Sequence, residues 1–385
     1  MNKILCFSLL MLSSLALMSQ EAVNILDRMK APAQLEGVPL TQNHNELENT
    51  NTSNSRSSDG EAETIFLGTS GNIYTILLSG NNQVSYNPAL DAVTFVHRRN
   101  DAPPMNGVME YDYSLDGGSS WEVNQGPLSP SFEDGTETSI GDGLRFPNGV
   151  LWSPEGSTNT DDAYIFSNGP TLDSETGSWG NIFEVSSKLN GTNLSENYTN
   201  YTLDSINGNS IDFHPYATSL VGEDIYSLST QLNNSGNASF DTLTFAKYYL
   251  TKSSFNDTSN SFTTEVVNVF EPNWVVFDDG DGTFTNFTLN YTMAWDNSGL
   301  IGYVVLVGVT ESEFGYEPIP KPNVWKTADA GETWVKLQEF DFQTLDNLQN
   351  VLPVAAGGDE VRPYFTDTDA TVDAEGELHL FTHMF

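Results

Sequence analysis

Hydrophobic and polar positions divide the chain into three regimes. Ile4 to Met18 is an apolar run broken only by small Ser residues, with Lys3 before it and Gln20–Glu21 after it. Thr41 to Gly60 (TQNHNELENTNTSNSRSSDG) has no aromatic residue and a single Leu, too little to bury. From Glu61 onward there is no helical period. Short runs rich in Val, Ile, Tyr, Phe and Thr alternate with clusters of Gly, Asn, Asp and Pro, the pattern of an all-β chain. Such runs include NIYTILL (72–78), DAVTFVH (91–97), DAYIFSNG (162–169), EDIYSLST (223–230), LTFAKYYLT (243–251), TTEVVNVF (263–270) and GYVVLVGV (302–309).

The runs recur as a larger unit of strand, Asp/Gly/Pro turn and second apolar strand. NPALDAVTFVHR (87–98), LWSPEGSTNTDDAYIFSNG (151–169), YATSLVGEDIYSLST (216–230), MAWDNSGLIGYVVLVG (293–308) and ATVDAEGELHLFTHMF (370–385) all fit. Their second strands start near 93, 163, 224, 302 and 377, in steps of 70, 61, 78 and 75 residues. Each step has room for the four strands of a propeller blade with long loops. The pattern therefore predicts a β-propeller with four full blades, near 83–124, 145–203, 211–270 and 288–340, and a partial fifth. The fifth copy stops at Phe385 inside an expected inner strand. Either strands around 64–78 complete it or the chain is a fragment of a six- to seven-bladed propeller; the latter is the expectation adopted.

The first regime reads as a secretory signal peptide, residues 1–19, cleaved between Ala16 and Ala22. It is too short for a membrane span. Residues 20–60 then form an arm and a disordered linker, and 61–385 the propeller. Cys6, the only cysteine, falls inside the signal, so the exported chain has no disulfide to rely on. A secreted or cell-surface protein of bacterial export follows. With 52 Asp plus Glu against 14 Lys plus Arg, the formal charge of −38 repels nucleic acid and anionic membrane.

Two segments share the spelling S/T-x-D-x-G-x-x-W: Ser114, Asp116, Gly118 and Trp121 in one, Thr327, Asp329, Gly331 and Trp334 in the other. Each sits between two β runs, hence on a hairpin. The carboxylate can accept backbone N–H bonds across the turn, with the hydroxyl bonding beside it. Gly118 and Gly331 permit positive φ, and the Trp folds back over the turn. These residues stabilise a turn and make no bond to substrate.

With these motifs the chain resembles the Asp-box, or BNR-repeat, sialidase-like β-propellers over roughly residues 62–385. Segments such as HRRNDAP, YDYSLDGGSSWEVNQGPL and LRFPNGVLWSPEGSTNTDDAYIFSNGP also resemble secreted propellers of Bacteroidetes-type bacteria. The resemblance implies a fold shared by enzymes and binders, so function must come from the site. A sialidase requires three Arg around the substrate carboxylate, a Tyr nucleophile activated by Glu, and an Asp acid–base. Past the linker the chain has four arginines, Arg98, Arg99, Arg145 and Arg362. Leu144-Arg145-Phe146-Pro147 is similar to the R-x-P element that holds the first sialidase Arg, although here it follows the first Asp box instead of preceding it. Val361-Arg362-Pro363-Tyr364 is a looser echo. Surface or inter-blade ion pairs account for the same arginines. Glu110 and Tyr111 adjoin in sequence, but strand alternation sends them to opposite faces.

The weak candidates for chemistry are thus Arg98, Arg99, Arg145 and Arg362 as anion holders and Asp101 as an acid. Asp278, Asp279 and Asp281 on a glycine-rich loop supply hard oxygens suited to calcium, without the full twelve-residue calcium-loop spacing; a solvated loop is the favoured reading of them. Apart from Ca2+ no cofactor is expected. The reading is a secreted recognition or structural module that binds carbohydrate or an extracellular protein in its central funnel, with no transmembrane segment. The alternative is a sialidase-type exo-glycosidase acting on terminal sialic acids.

Overall fold

The structure is a computed structural model. It describes residues 64, 65, 67, 70, 80–100, 107–133, 143–173, 178–199, 212–234, 243–278, 284–285, 288–316, 318–341 and 365–384. All of them belong to one compact unit, Ser53–Phe385. The signal peptide, the arm and the linker lie outside the described residues, as does the run at 72–78.

The fold is an all-β propeller of four full sheets and a two-stranded fifth. The first blade is β1 (Val84–Asn87), β2 (Ala92–Arg98), β3 (Met109–Ser114) and β4 (Glu122–Gln125), hydrogen-bonded in that order. In the second, β5 (Gly143–Leu144) and β6 (Asn148–Trp152) both pair with β7 (Tyr164–Asp173), followed by β8 (Ser178–Lys188) and β9 (Ser195–Thr199). The inner edge breaks where Pro147 lacks an N–H and Phe146 takes a φ of 44°. The third blade is β10 (Asp212–Val221), β11 (Asp224–Asn234), β12 (Leu243–Asn256) and β13 (Ser261–Phe270). A small ribbon, β14 (Phe277–Asp278) with β15 (Phe284–Thr285), precedes the fourth blade. That blade is β16 (Thr288–Trp295), β17 (Gly302–Thr310), β18 (Ile319–Thr327) and β19 (Val335–Lys336). The fifth holds β20 (Phe365–Val372) and β21 (Leu378–Met384). Every pairing is antiparallel. Among the described residues the only helical turns are α1 (Pro130–Glu133) and a 3-10 turn at Thr160–Asp162.

Apolar clusters join each sheet to the next. Val96, Met109 and Tyr111 of the first blade pack with Leu151, Ile165 and Phe183 of the second. Trp152, Tyr164 and Phe166 meet Ile225, Phe255 and Phe262 of the third. Leu228, Tyr248 and Leu250 then meet Val304, Leu306 and Trp325 of the fourth, and Val305 and Val307 meet Phe365, Leu378 and Leu380 of the fifth. Sandwiching between neighbours explains β17, which is buried at every residue from Gly302 to Thr310 and reads as an unbroken apolar run.

The innermost strands β1, β6, β10, β16 and β20 are successive neighbours. Several of their first turns also touch in sequence. Asn87 Nδ2 donates to Ser153 Oγ at 2.9 Å, Trp152 Nε1 to the Glu223 carbonyl at 2.7 Å, and Tyr303 Oη to the Gly376 carbonyl at 2.9 Å. These turns define one end of the propeller. The connections that leave β2, β7, β11 and β17, and the crossovers from blade to blade, define the other, loop end. No helix among the described residues is long and apolar enough to cross a membrane.

Candidate functional site

At the turn end, both S/T-x-D-x-G-x-x-W segments close outermost hairpins, β3–β4 and β18–β19, and they match bond for bond. Ser114 Oγ donates to Asp116 Oδ1 at 2.7 Å and accepts from Gly118 N at 2.8 Å. Asp116 accepts from Ser120 N at 2.8 Å and Ser120 Oγ at 2.6 Å, and Trp121 Nε1 donates to the Gly118 carbonyl at 3.0 Å. In the second turn Thr327 Oγ1 donates to Asp329 Oδ1 at 2.7 Å and accepts from Gly331 N at 3.0 Å. Asp329 accepts from Thr333 N at 2.9 Å and Thr333 Oγ1 at 2.6 Å, and Trp334 Nε1 reaches the Gly331 carbonyl at 3.1 Å.

Two consecutive left-handed residues make each reversal, Gly117 (φ 63°) with Gly118 (φ 92°) and Ala330 (φ 56°) with Gly331 (φ 86°). The first of each pair then donates its N–H to the inner hairpin of its own blade, Gly117 N to the Asp91 carbonyl at 2.8 Å and Ala330 N to the Leu300 carbonyl at 3.0 Å. Bonds from the Ser120 hydroxyl and amide, and from Ser114, hold the Asp116 carboxyl down at about 2; those from Thr333 and Thr327 lower Asp329 in the same way. The motif side chains bond within the turn and the Gly117 and Ala330 amides tie it to the inner hairpin, which makes these turns fasteners.

The loop end carries the charged candidates. His97 and Arg98 are buried at 2% and 1% exposure, where a strand emerging into solvent would leave them open. His97 Nε2 lies 3.2 Å from Asp112 Oδ1, which also accepts from Asn124 N at 2.6 Å. Burial works to lower the His97 pKa, but the Asp112 hydrogen bond and charge, the Arg98 carbonyl and Glu110 outweigh it and leave the pKa raised. Arg99 Nε donates to Glu110 Oε1 at 2.7 Å, and Lys321 Nζ pairs with Glu339 Oε1 at the same distance. Glu110 and Tyr111 do take opposite faces: the Tyr111 hydroxyl donates to the Leu189 carbonyl at 3.0 Å on the side facing the second blade.

Arg145 precedes β6, half-buried, with Nη1 donating to the Leu144 carbonyl at 3.0 Å and its own N–H bonded to the Pro170 carbonyl. A Cβ at residue 143 would fall 2.0 Å from Nη1, so Gly143 leaves the space the guanidinium fills. Arg98 and Arg99 therefore leave β2 on opposite faces and Arg145 stands on another sheet. Asp101, Arg362, Asp279 and Asp281 lie outside the described residues, as does the Asp278 side chain. Among the described residues no group of three His, Cys, Asp or Glu is placed to hold a metal ion.

Sequence reading missed two arrangements. One is a row across the second blade in which Asn148, Asn168, Glu184 and Asn197 are cross-strand partners. Asn148 Nδ2 donates to Asn168 Oδ1 at 3.1 Å, Asn168 Nδ2 to Ser227 Oγ at 2.7 Å, and Thr218 Oγ1 to Asn168 Oδ1 at 3.2 Å, linking the second blade to the third. The other is on β9 at the outer rim, where Tyr198 Oη donates to Glu196 Oε1 at 2.8 Å and Ser131 Oγ to the same oxygen at 2.7 Å. The period of two in SENYT was the available signal for this Glu–Tyr pair, but it sits on an outermost strand, away from the axis. A cleft of about 80 Å³ lies beside the first S/T-x-D-x-G-x-x-W turn, lined by Tyr113, Leu115, Asp161 and Lys188. That is far below the roughly 300–1,000 Å³ of small-molecule sites.

No protein-family model matches the chain, and no curated protein sequence matches it. Among solved structures it is similar to an endo-arabinase from Bacteroides thetaiotaomicron VPI-5482, at 10% identity and a TM-score of 0.35, covering 80% of this chain and 90% of that one. An alpha-L-arabinofuranosidase from Lactobacillus brevis aligns at 11% identity and a TM-score of 0.33, covering 81% and 85%. The plexin A4 extracellular region aligns at 10% identity and 0.38, covering 79% of this chain and 37% of that one. Likeness this loose transfers neither an activity nor a ligand, and the blade-by-blade geometry above is what defines the fold.

Proposed function

We propose that this chain is an exported, carbohydrate-interacting β-propeller module that meets its ligand at the loop end. The observation that carries the reading is the pair of Asp-box turns, identical bond for bond on the outer hairpins of two blades, the motif by which the sequence resembles sialidase-like propellers. The Ser114, Ser120, Thr327 and Thr333 hydroxyls and the Asp116 and Asp329 carboxylates are engaged within those turns, which leaves the opposite end for a ligand.

Two finer forms of this reading each have an observation behind them. Recognition without chemistry is supported by Arg98, buried against the second blade, and by Arg99, committed to Glu110. Neither is offered to a substrate carboxylate. Sialidase-type hydrolysis is supported by Arg145, carried in an R-x-P element at the head of an inner strand. A fluorogenic sialoside assay on the mature protein separates them. Turnover abolished by Arg145→Ala establishes the hydrolytic form. Absence of turnover, together with retention on a glycan support, establishes recognition. Absence of both turnover and retention refutes the proposal.

A further inference from the structure

Glu184 lies on β8 in the middle of the joint between the second and third blades, at 8% exposure. Apolar clusters flank it on both sides: Ile182 with Tyr249 and Val266, and Trp152, Tyr164 and Phe166 with Phe255 and Phe262. Its polar neighbours are neutral. Asn197 Nδ2 on β9 donates to Glu184 Oε2 at 3.1 Å, and the Thr264 hydroxyl on β13, itself 2.7 Å from Ser253 Oγ on β12, bonds the carboxyl. Asn168 on β7 is its other cross-strand partner.

Charged and titratable groups on the same elements are engaged elsewhere. Lys188 donates to the Asp161 carbonyl, Glu196 accepts from Ser131, Lys247 pairs with Glu271, and Lys252 approaches Glu265. Tyr249 faces the joint within its apolar cluster. Asp173 is the last residue of β7, and β10, which also packs on β8, carries Asp212 and His214; the side chains of these three lie outside the described residues. Among the described residues no cation stands against this carboxylate, and ionising it in place carries a large desolvation cost.

We propose that this joint is a proton-gated seam, closed while Glu184 is neutral and loosened when Glu184 ionises. Burial, opposed only in part by the Thr264 and Asn197 hydrogen bonds, pushes the carboxyl up to about 7 from an ordinary 4.5. The gate therefore acts across near-neutral pH. Local opening that returns Glu184 to water releases its proton, so the opening equilibrium rises roughly tenfold per pH unit between about 5 and 7 and levels off above.

The test is hydrogen exchange of the mature protein from pH 5 to pH 8, corrected for intrinsic rates. Peptides of β8, β9, β12 and β13 are followed, with β17 and β18 as controls. The expected result is a rise of opening of roughly two orders of magnitude at the joint, flat controls, and no rise in Glu184→Gln. A flat wild-type joint, or the same rise in Glu184→Gln, overturns the proposal. Should that variant fail to fold, Thr264→Val keeps the carboxyl and removes a hydrogen bond that lowers it. The levelling point must then move to higher pH, and an unmoved one overturns the proposal equally.

Discussion

Trp121 and Trp334 occupy equivalent positions in turns with the same hydrogen bonds, yet removing them should cost different amounts. Trp334 packs edge-on against Phe270 of the third blade at 5.3 Å and Trp295 of its own blade at 5.6 Å. Trp121 has no ring partner among the described residues. Each edge-to-face pair contributes about 0.5–1.5 kcal/mol beyond area. Both indoles are half-buried, so truncation falls below the roughly 3–5 kcal/mol of a fully buried Trp. The Nε1 bonds, 3.0 and 3.1 Å, cancel in the comparison. Trp334→Ala should therefore cost about 3 kcal/mol and Trp121→Ala about 1–2 kcal/mol. Urea unfolding of the protein reads the difference as a larger fall in midpoint for Trp334→Ala at unchanged slope. Equal losses, or a larger one at Trp121, would refute the view that Trp334 of the fourth blade also clamps the third.

Three further outcomes are expected. Because Asp116 and Asp329 are held below their ordinary 3.8, their contribution is present above that pH and is lost as pH falls through the folded values, about 2 for Asp116; thermal melts should decline more steeply between pH 4 and pH 2 in the wild type than in Asp116→Asn. His97 is raised above 6.5, so the His97–Asp112 pair contributes fully below pH 6.5 and is lost as pH rises through the folded value; melts of Asp112→Asn from pH 6 to pH 9 should lack that decline. A formal charge of −38 makes self-repulsion a global load, so raising NaCl from 0.05 to 1 M, which shortens the screening length to about 3 Å, should raise Tm.

Blade boundaries were legible because each unit carries its own period-two apolar strands and a turn rich in Gly, Asp and Asn. The predicted span 288–340 contains β16 to β19, and 211–270 contains β10 to β13, whereas 83–124 stops one residue short of the end of β4 and 145–203 leaves out β5, the short strand before the Pro147 break. The S/T-x-D-x-G-x-x-W hairpins were legible for a local reason: Ser114 to Trp121 bond one another within eight residues. What lies between blades was not. Glu184 looks like any polar position on a strand until Thr264, eighty residues later, covers it, and Asn168 needs Thr218 and Ser227 from the next blade before it becomes a link. Arg98 shows the same limit, since nothing in HRRN says which of two adjacent arginines turns inward; the pleat decides it, and Val96, which shares that face, is already in the core.

Retention of the protein on a glycan array tests the central claim most directly, with Trp121→Ala as a turn-end control and Arg145→Ala as a loop-end variant. The account predicts binding to a defined subset of glycans, kept by Trp121→Ala and lost or weakened at least tenfold by Arg145→Ala. Folded protein that binds no glycan, or binding abolished at the turn end and untouched at the loop end, would contradict it.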